Sequence, residues 1–191
     1  AQGEVELIGI LDQSILSIVG TIRNPQLTVI AIDITALGSG TTLSLLILFA
    51  VLLLCLKRRY SQAIHLIAAA AGAAIITYAM KGYFERPRPN ALAHLVDVQG
   101  FSYPSGHSLS SAAIYFTFAV LLFFHFRNSI ERALIIGSAL VLIMLIAVSR
   151  IYLGVHYLSD VMAGVLVGIG WAASVAAIRA FIETRSESNA N

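Results

Sequence analysis

Charge is the scarcest commodity in this chain. Of 191 residues only 12% are Asp, Glu, Lys or Arg, and 58% are hydrophobic. A mean hydropathy of +0.85 excludes an ordinary soluble domain. The single cysteine, Cys55, excludes an intrachain disulfide. It lies within an apolar run and reads as inert packing. The basic residues are dispersed and form no stripe with aromatics, so the footprint of a nucleic-acid binder is missing. No repeat or low-complexity linker divides the chain, and residues 1–191 read as one domain.

What the chain has instead is uncharged length. Five stretches carry no formal charge: Ile34–Leu56, Tyr60–Met80, the run from Val98 to just before Arg127, Ala133–Ser149 and Val161–Ile178. A spanning helix needs about 20 mostly apolar residues, with about 17 near the minimum. The pattern predicts an all-α integral-membrane bundle of five spanning helices within residues 34–183. The third run is longer than it needs to be, so its first residues read as a loop. Tyr and Phe flank the runs, as at membrane–water boundaries. In Glu4–Ile22, Ile8, Leu11, Ile15, Ile18, Val19 and Ile22 recur at helical spacing, with Glu6, Asp12, Gln13, Ser14 and Ser17 between them. This segment is either a helix lying in the interface or one packed on the bundle. Asn24-Pro25 ends it. Residues 184–191 read as a flexible polar tail.

Counting Lys and Arg at alternate ends of the spans orients the bundle. Lys57, Arg58, Arg59, Arg127, Arg132, Arg179 and Arg185 fall on one side, and Arg23, Lys81, Arg86, Arg88 and Arg150 on the other. Lys81, Arg88 and Arg150 belong to polar clusters of their own. Setting them aside leaves a clear basic excess on the first side, which is therefore cytoplasmic. The clusters face outward, toward the periplasm or an equivalent space.

Those clusters are Lys81 with Arg88-Pro89, Pro104-Ser105-Gly106-His107, and Ser149-Arg150 followed by His156 and Asp160. Topology brings all of them to the outward ends of the second to fifth spans, where they can share a pocket. Three cations suit a phosphate or related oxyanion. Ser105 and Gly106 precede a helix, whose unpaired amides favour an anion. His156 and Asp160, four residues apart, share a helical face, so the carboxylate can hold the imidazole in one tautomer. A neutral imidazole so held can attack phosphorus, and His107 can serve as general acid. His107, His156 and Asp160 are also metal-ligand types, but three nearby cations would repel a divalent ion. A lone Lys or Arg at a span end is ordinarily a snorkelling anchor, and Arg86 reads so. His65, His94 and His125 read as structural. An anion transporter or channel would also use buried charge. A permeation path, however, needs ionisable residues at mid-depth, and here they sit at the ends.

Taken together, these residues resemble the three-part signature of the type 2 phosphatidic acid phosphatase family. The matching positions are Lys81 through Arg88-Pro89, the Pro104–His107 tetrad, and Ser149-Arg150 with His156 and Asp160. Asp33–Ser39 also resembles a stretch before the second span of bacterial members. The resemblance implies a lipid phosphatase of the bacterial inner membrane that needs neither metal nor cofactor. His156 would be the nucleophile that forms a phosphohistidine, Asp160 its orienting partner, and His107 the acid and then the base. Lys81, Arg88, Arg150, Ser105 and the Gly106 amide would hold the phosphoryl oxygens. The substrates it implies are undecaprenyl diphosphate, phosphatidylglycerophosphate or phosphatidate, with a lipid A phosphate as a further candidate. The family includes soluble vanadate-dependent haloperoxidases, a branch that five spans argue against. Bacterial membrane members usually have six spans, so a first span upstream of Ala1 is expected. An inactive lipid-phosphate-binding relative is a further reading, which the complete set of motif residues argues against. Oligomeric state is not legible.

Overall fold

The computed structural model describes residues 2–188, and among them there are seven helices and no strand. They are α1 (Gln2–Ile22), α2 (Pro25–Ala36), α3 (Gly40–Leu56), α4 (Tyr60–Phe84), α5 (Gly106–Phe123), α6 (Ser129–Tyr152) and α7 (Leu158–Ser188). Five segments are long and apolar enough to cross a membrane: Pro25–Leu56, which joins α2 and α3, then Tyr60–Phe84, Gly106–Phe123, Ser129–Tyr152 and Leu158–Arg185. The five expected spans are therefore present. The first starts earlier than its charge-free run, because exposed Asp33 lies inside α2 without ending it. The polar segment expected as a tail begins inside α7, which runs to Ser188. Residues 189–191 lie outside the described region.

The helix boundaries have local causes. Asn24 accepts the Leu27 amide at 2.9 Å, and Pro25 occupies the first turn of α2, where no amide is needed. Ser39 caps α3 through the Thr42 amide at 3.2 Å, and Asn128 caps α6 through Ile130 at 2.9 Å. Between α2 and α3 the chain passes close to α5 and α6 at Gly38. A Cβ there would lie 2.6 Å from Ile146 Cγ2 and 2.7 Å from the Ser111 hydroxyl.

Helix α5 is the central element and packs on α4, α6 and α7. Its seam with α7 is built from small residues. A Cβ on Gly164 would lie 2.8 Å from the Ser105 carbonyl oxygen, and one on Gly168 would collide with the Leu109 carbonyl. Spacing small residues four apart lets membrane helices approach where lipid offers no hydrophobic drive. Trp171 ties α7 to α4 by donating to the Ala69 carbonyl at 3.1 Å. The outer faces are apolar, with Leu48, Phe49, Ile64, Ile75, Leu134 and Leu166 all exposed. Cys55 is exposed as well, because α3 lies at the edge of the bundle, so it does not pack inside.

Helix α1 differs from its expected pattern. Asp12, expected on the polar face, is buried with Leu16 and Val19 against the bundle, whereas Ile8, Leu11, Ile18 and Ile22 are exposed. The helix is thus docked, and its outside is mixed, with Gln13, Ser14 and Ser17 exposed beside the apolar residues. The docked stripe falls at positions 12, 16 and 19, a helical repeat offset from the isoleucines.

Candidate active site

All of the clusters expected to converge lie at one end of the bundle, around the 85–105 loop that joins α4 to α5. Glu85, in the left-handed region at φ 43°, ends α4 and turns the chain into this loop. The loop is held by backbone bonds from Ser102 to Arg86 at 2.8 Å and from Leu95 to Leu153 at 3.0 Å. His94 fixes it internally, its Nε2 lying 2.7 Å from the Pro89 carbonyl. That matches the structural role expected for this residue. His65 and His125 are also remote from the site. They contact Arg179 at 3.5 Å and the Leu121 carbonyl at 3.0 Å, respectively.

His156 and Asp160 are both buried. His156 lies in the turn before α7, not on the helix, and so differs from the expected shared helical face. The two side chains still meet, with Nδ1 3.5 Å from Oδ2. Arg88 Nη1 stands 3.3 Å from Nε2. A guanidinium can only donate, so Nε2 is the accepting nitrogen and the proton of the neutral ring sits on Nδ1, facing Asp160. Burial pushes the His156 pKa down to about 4. The Asp160 bond opposes that shift, and the charges of Arg88 and Arg150 add to it. The ring is therefore neutral at physiological pH, with its lone pair on Nε2.

Around Nε2 the structure distributes the expected anion ligands unevenly. Gly106 and His107 open α5, where backbone amides have no partner within the helix. A Cβ on Gly106 would lie 4.0 Å from Lys81 Cε, so Lys81 runs alongside the helix start. Its ammonium also donates to the Phe101 carbonyl. Arg150 is buried and gives one Nη1 bond to Thr35 at 2.9 Å, while its Nε has no partner. Arg88 spends donors on the carbonyls of Gly100, Gln99 and Val155 at 2.9–3.0 Å, so it braces the loop as well as facing the histidine. The Ser105 amide, expected to be free for an anion, is used by the Asp160 carbonyl at 3.0 Å, because the loop returns onto α7. Its hydroxyl caps α5 and accepts from Ser108 Oγ at 3.0 Å, which leaves its own proton to donate. His107 lines a cavity of about 330 Å³ together with Lys81, Gly106, Tyr78, Thr77 and Gly40.

Three residues that sequence reasoning left out complete the site. Ser102 donates to Asp160 Oδ2 at 2.5 Å and lies 3.3 Å from His156 Nδ1. Arg86, read as a membrane anchor, instead gives Nη1 to Asp160 Oδ1 at 2.6 Å. Thr35, within the Asp33–Ser39 stretch, takes the Arg150 bond. Nothing in the spacing of Ser102 marks it. Arg86 had a signal in its nearness to Arg88 within one short loop.

Residues 62–183 match the PAP2 superfamily. The chain belongs to the PAP2 superfamily. Every motif residue from Lys81 to Asp160 falls inside the matched segment, while Asp12 and Thr35 fall outside it. Across 159 residues this PAP2 protein is 31% identical to phosphatidylglycerophosphatase B of Bacillus subtilis (strain 168), spanning 83% of this chain and 78% of that one. A transmembrane PAP2-type phosphatidylglycerolphosphate phosphatase of known structure from Bacillus subtilis superposes with a TM-score of 0.86 at 29% identity. That match covers 92% of this chain and 88% of that one. The structure of Aquifex aeolicus LpxE gives a TM-score of 0.70 at 27% identity, over 86% of this chain and 94% of that one. The chain is thus an integral-membrane member of the lipid-phosphatase branch of PAP2 proteins, hydrolases of phosphate esters.

Proposed function

We propose that this protein removes a phosphate from a lipid phosphate or diphosphate ester through a phosphohistidine on His156. The observation that carries the reading is the tautomer: Asp160 faces Nδ1, and an obligate donor, Arg88, faces the Nε2 lone pair. In the first step Nε2 attacks phosphorus, and the bond from phosphorus to the leaving oxygen breaks. His107 protonates that oxygen. In the second step His107 takes a proton from water, whose oxygen attacks phosphorus and releases phosphate from Nε2. Asp160 stabilises the positive ring between the steps. Lys81, Arg88, Arg150, the Ser105 hydroxyl and the Gly106 amide bind the phosphoryl oxygens as charge moves onto them. The phosphate displaces Arg88 from the Nε2 lone pair by offering it an oxygen instead.

Phosphatidylglycerophosphate leads the candidate substrates, because the curated relative and the structure of higher TM-score are both named for it. Undecaprenyl diphosphate, phosphatidate and a lipid A phosphate follow. The cavity beside His107 is lined by Lys81 and by Tyr78, which is 84% exposed, so a head group can meet Lys81 and His107 there while acyl chains stay in the bilayer. Basic residues gather at the opposite end, which supports a bacterial inner-membrane location with the site facing outward. Ionisable motif residues cluster at that outward end and argue against a permeation path.

The test is phosphate release in detergent with chelator present, using phosphatidylglycerophosphate, undecaprenyl diphosphate, phosphatidate and a soluble sugar phosphate. Release should be absent in His156→Ala and should favour a lipid. Acid-quenched protein should carry phosphate on a histidine. Turnover that survives His156→Ala would sink the covalent route, and a strict divalent-ion requirement would sink the metal-free one.

A further inference from the structure

Asp12 is an anomaly. It belongs to α1, outside the segment matched to the superfamily, and it is 1% exposed although Leu7, Ile8, Ile10 and Leu11 beside it are exposed. A buried carboxylate is costly unless it is fully partnered. Asp12 accepts from the Ser159 amide at 2.9 Å, the Ser159 hydroxyl at 2.6 Å and Arg86 Nη2 at 2.7 Å. The other arm of Arg86 reaches Asp160 Oδ1 at 2.6 Å and Ser159 Oγ at 2.7 Å. The guanidinium lies over the Tyr157 ring, 4.2 Å from its centroid. One planar cation therefore bridges two carboxylates, one from α1 and one from the first turn of α7.

The chemistry of that bridge matters for His156. Arg86 bound to Asp160 alone would draw negative charge away from the oxygen that faces the imidazole. Asp12 takes up part of that positive charge and fixes the plane of the fork. Burial by itself would lower the pKa of Arg86, but bonds and charge from Asp12 and Asp160 outweigh it and raise the value. We propose that Asp12 is a positioning residue that acts through Arg86 to hold the Asp160 carboxylate in place and keep its charge available to His156. The inference rests on the phosphohistidine reading and makes α1 part of the catalytic apparatus.

The test is kcat, KM and the pH profile of turnover for D12N, D12E and R86K, with H156A alongside. The groups acting on His156 are Arg88 from the loop, Arg150 from α6, His107 from α5 and Asp160 from α7, with Lys81 of α4 acting on Asp160. All of these are unchanged in D12N, so a moved profile reports the bridge. D12N is expected to lose about tenfold to a hundredfold in kcat, the range for residues that orient a functional histidine from behind. KM should stay within about twofold, since no phosphate ligand is touched. The acid limb should move to lower pH, because imidazolium loses anionic support. D12E, which restores the charge, should recover most of the turnover. R86K replaces the planar fork that fixes both carboxylates by a point charge and should reproduce the loss, so it serves if D12N does not fold. Wild-type kcat in R86K, or a D12N loss with an unmoved profile, overturns the proposal. Turnover that depends on His156 with D12N behaving as wild type overturns this inference alone. Turnover that survives H156A overturns the phosphohistidine reading and this inference together.

Discussion

Gly168→Ala asks whether the active site depends on how closely α7 lies against α5. The added Cβ would overlap the Leu109 carbonyl oxygen and sit 2.7 Å from Ala112 Cβ and 3.1 Å from the Ala113 amide nitrogen. These are backbone or alanine atoms, so no side chain can rotate away. Reaching ordinary contact requires the helices to part by about 1 Å. Such overpacking costs about 1–3 kcal/mol. The same movement stretches the bond from the Ser105 amide to the Asp160 carbonyl, now 3.0 Å, beyond hydrogen-bond range. Losing that bond adds about 1 kcal/mol. For a chain of this size, each kcal/mol lowers the melting temperature by about 2–4 °C. Asp160 also moves relative to the α5 amides, and a misplacement of about 1 Å can cost up to a hundredfold in rate. Gly170→Ala is the control, because a Cβ there meets nothing within 4 Å. It should be neutral or slightly stabilising, since Ala outranks Gly in a helix by about 1 kcal/mol. The assay is thermal unfolding in detergent together with lipid phosphate release. Wild-type melting and turnover in Gly168→Ala, or equal damage from Gly170→Ala, would refute the reasoning.

Four further outcomes follow from the site. Ser102→Ala removes a donor from Asp160 while leaving it the Tyr157 amide at 2.9 Å and Arg86. We expect about a tenfold lower kcat and a melting temperature lowered by a few degrees, since the loss of a buried donor to a carboxylate costs about 1–3 kcal/mol, and full activity would show the serine to be idle. Because His156 is pushed down to about 4, its ring stays neutral and nucleophilic above that pH, so the acid limb of kcat/KM should fall near 4. A limb near the ordinary histidine value of 6.5 would mean that another group controls it. The same shift makes protonation favour the unfolded chain. Stability should therefore drop as pH falls from 6.5 toward about 4, which pH-dependent thermal unfolding would reveal, and a flat profile would contradict it. Thr35→Val keeps the shape but strips Arg150 of its Nη1 acceptor, an unpaired buried donor worth about 1–3 kcal/mol. Lower melting and a raised KM are expected, and kinetics identical to wild type would count against the contact.

What the sequence made legible is what depends on composition and order along the chain. Spans show as largely uncharged runs because charge is costly in lipid. The end of each span sets which side a residue faces, so Lys81, His107, Arg150, His156 and Asp160 could be brought to one end without knowing any helix packing. The residues that escaped depend on a path that order alone does not fix. Ser102 works because the loop carries it back over Asp160, and no periodicity marks a serine between Phe101 and Tyr103. The Ser105 amide was lost to the anion for the same reason. Arg86 sat where a membrane anchor ordinarily sits, and its bonds to Asp160 and Asp12 depend on how the loop folds back onto α7 and α1. Asp12 reads in the sequence as one residue of a polar face, because it falls between the regularly spaced apolar residues of α1. Apolarity does not tell inside from outside when the surroundings are lipid, so the amphipathic rule loses its sign. The inner face of such a helix is marked instead by its buried polar residue, since a carboxylate enters a bundle only where a partner waits for it. Applied to α1, that criterion selects Asp12 and the face carrying Leu16 and Val19, which is the face that docks.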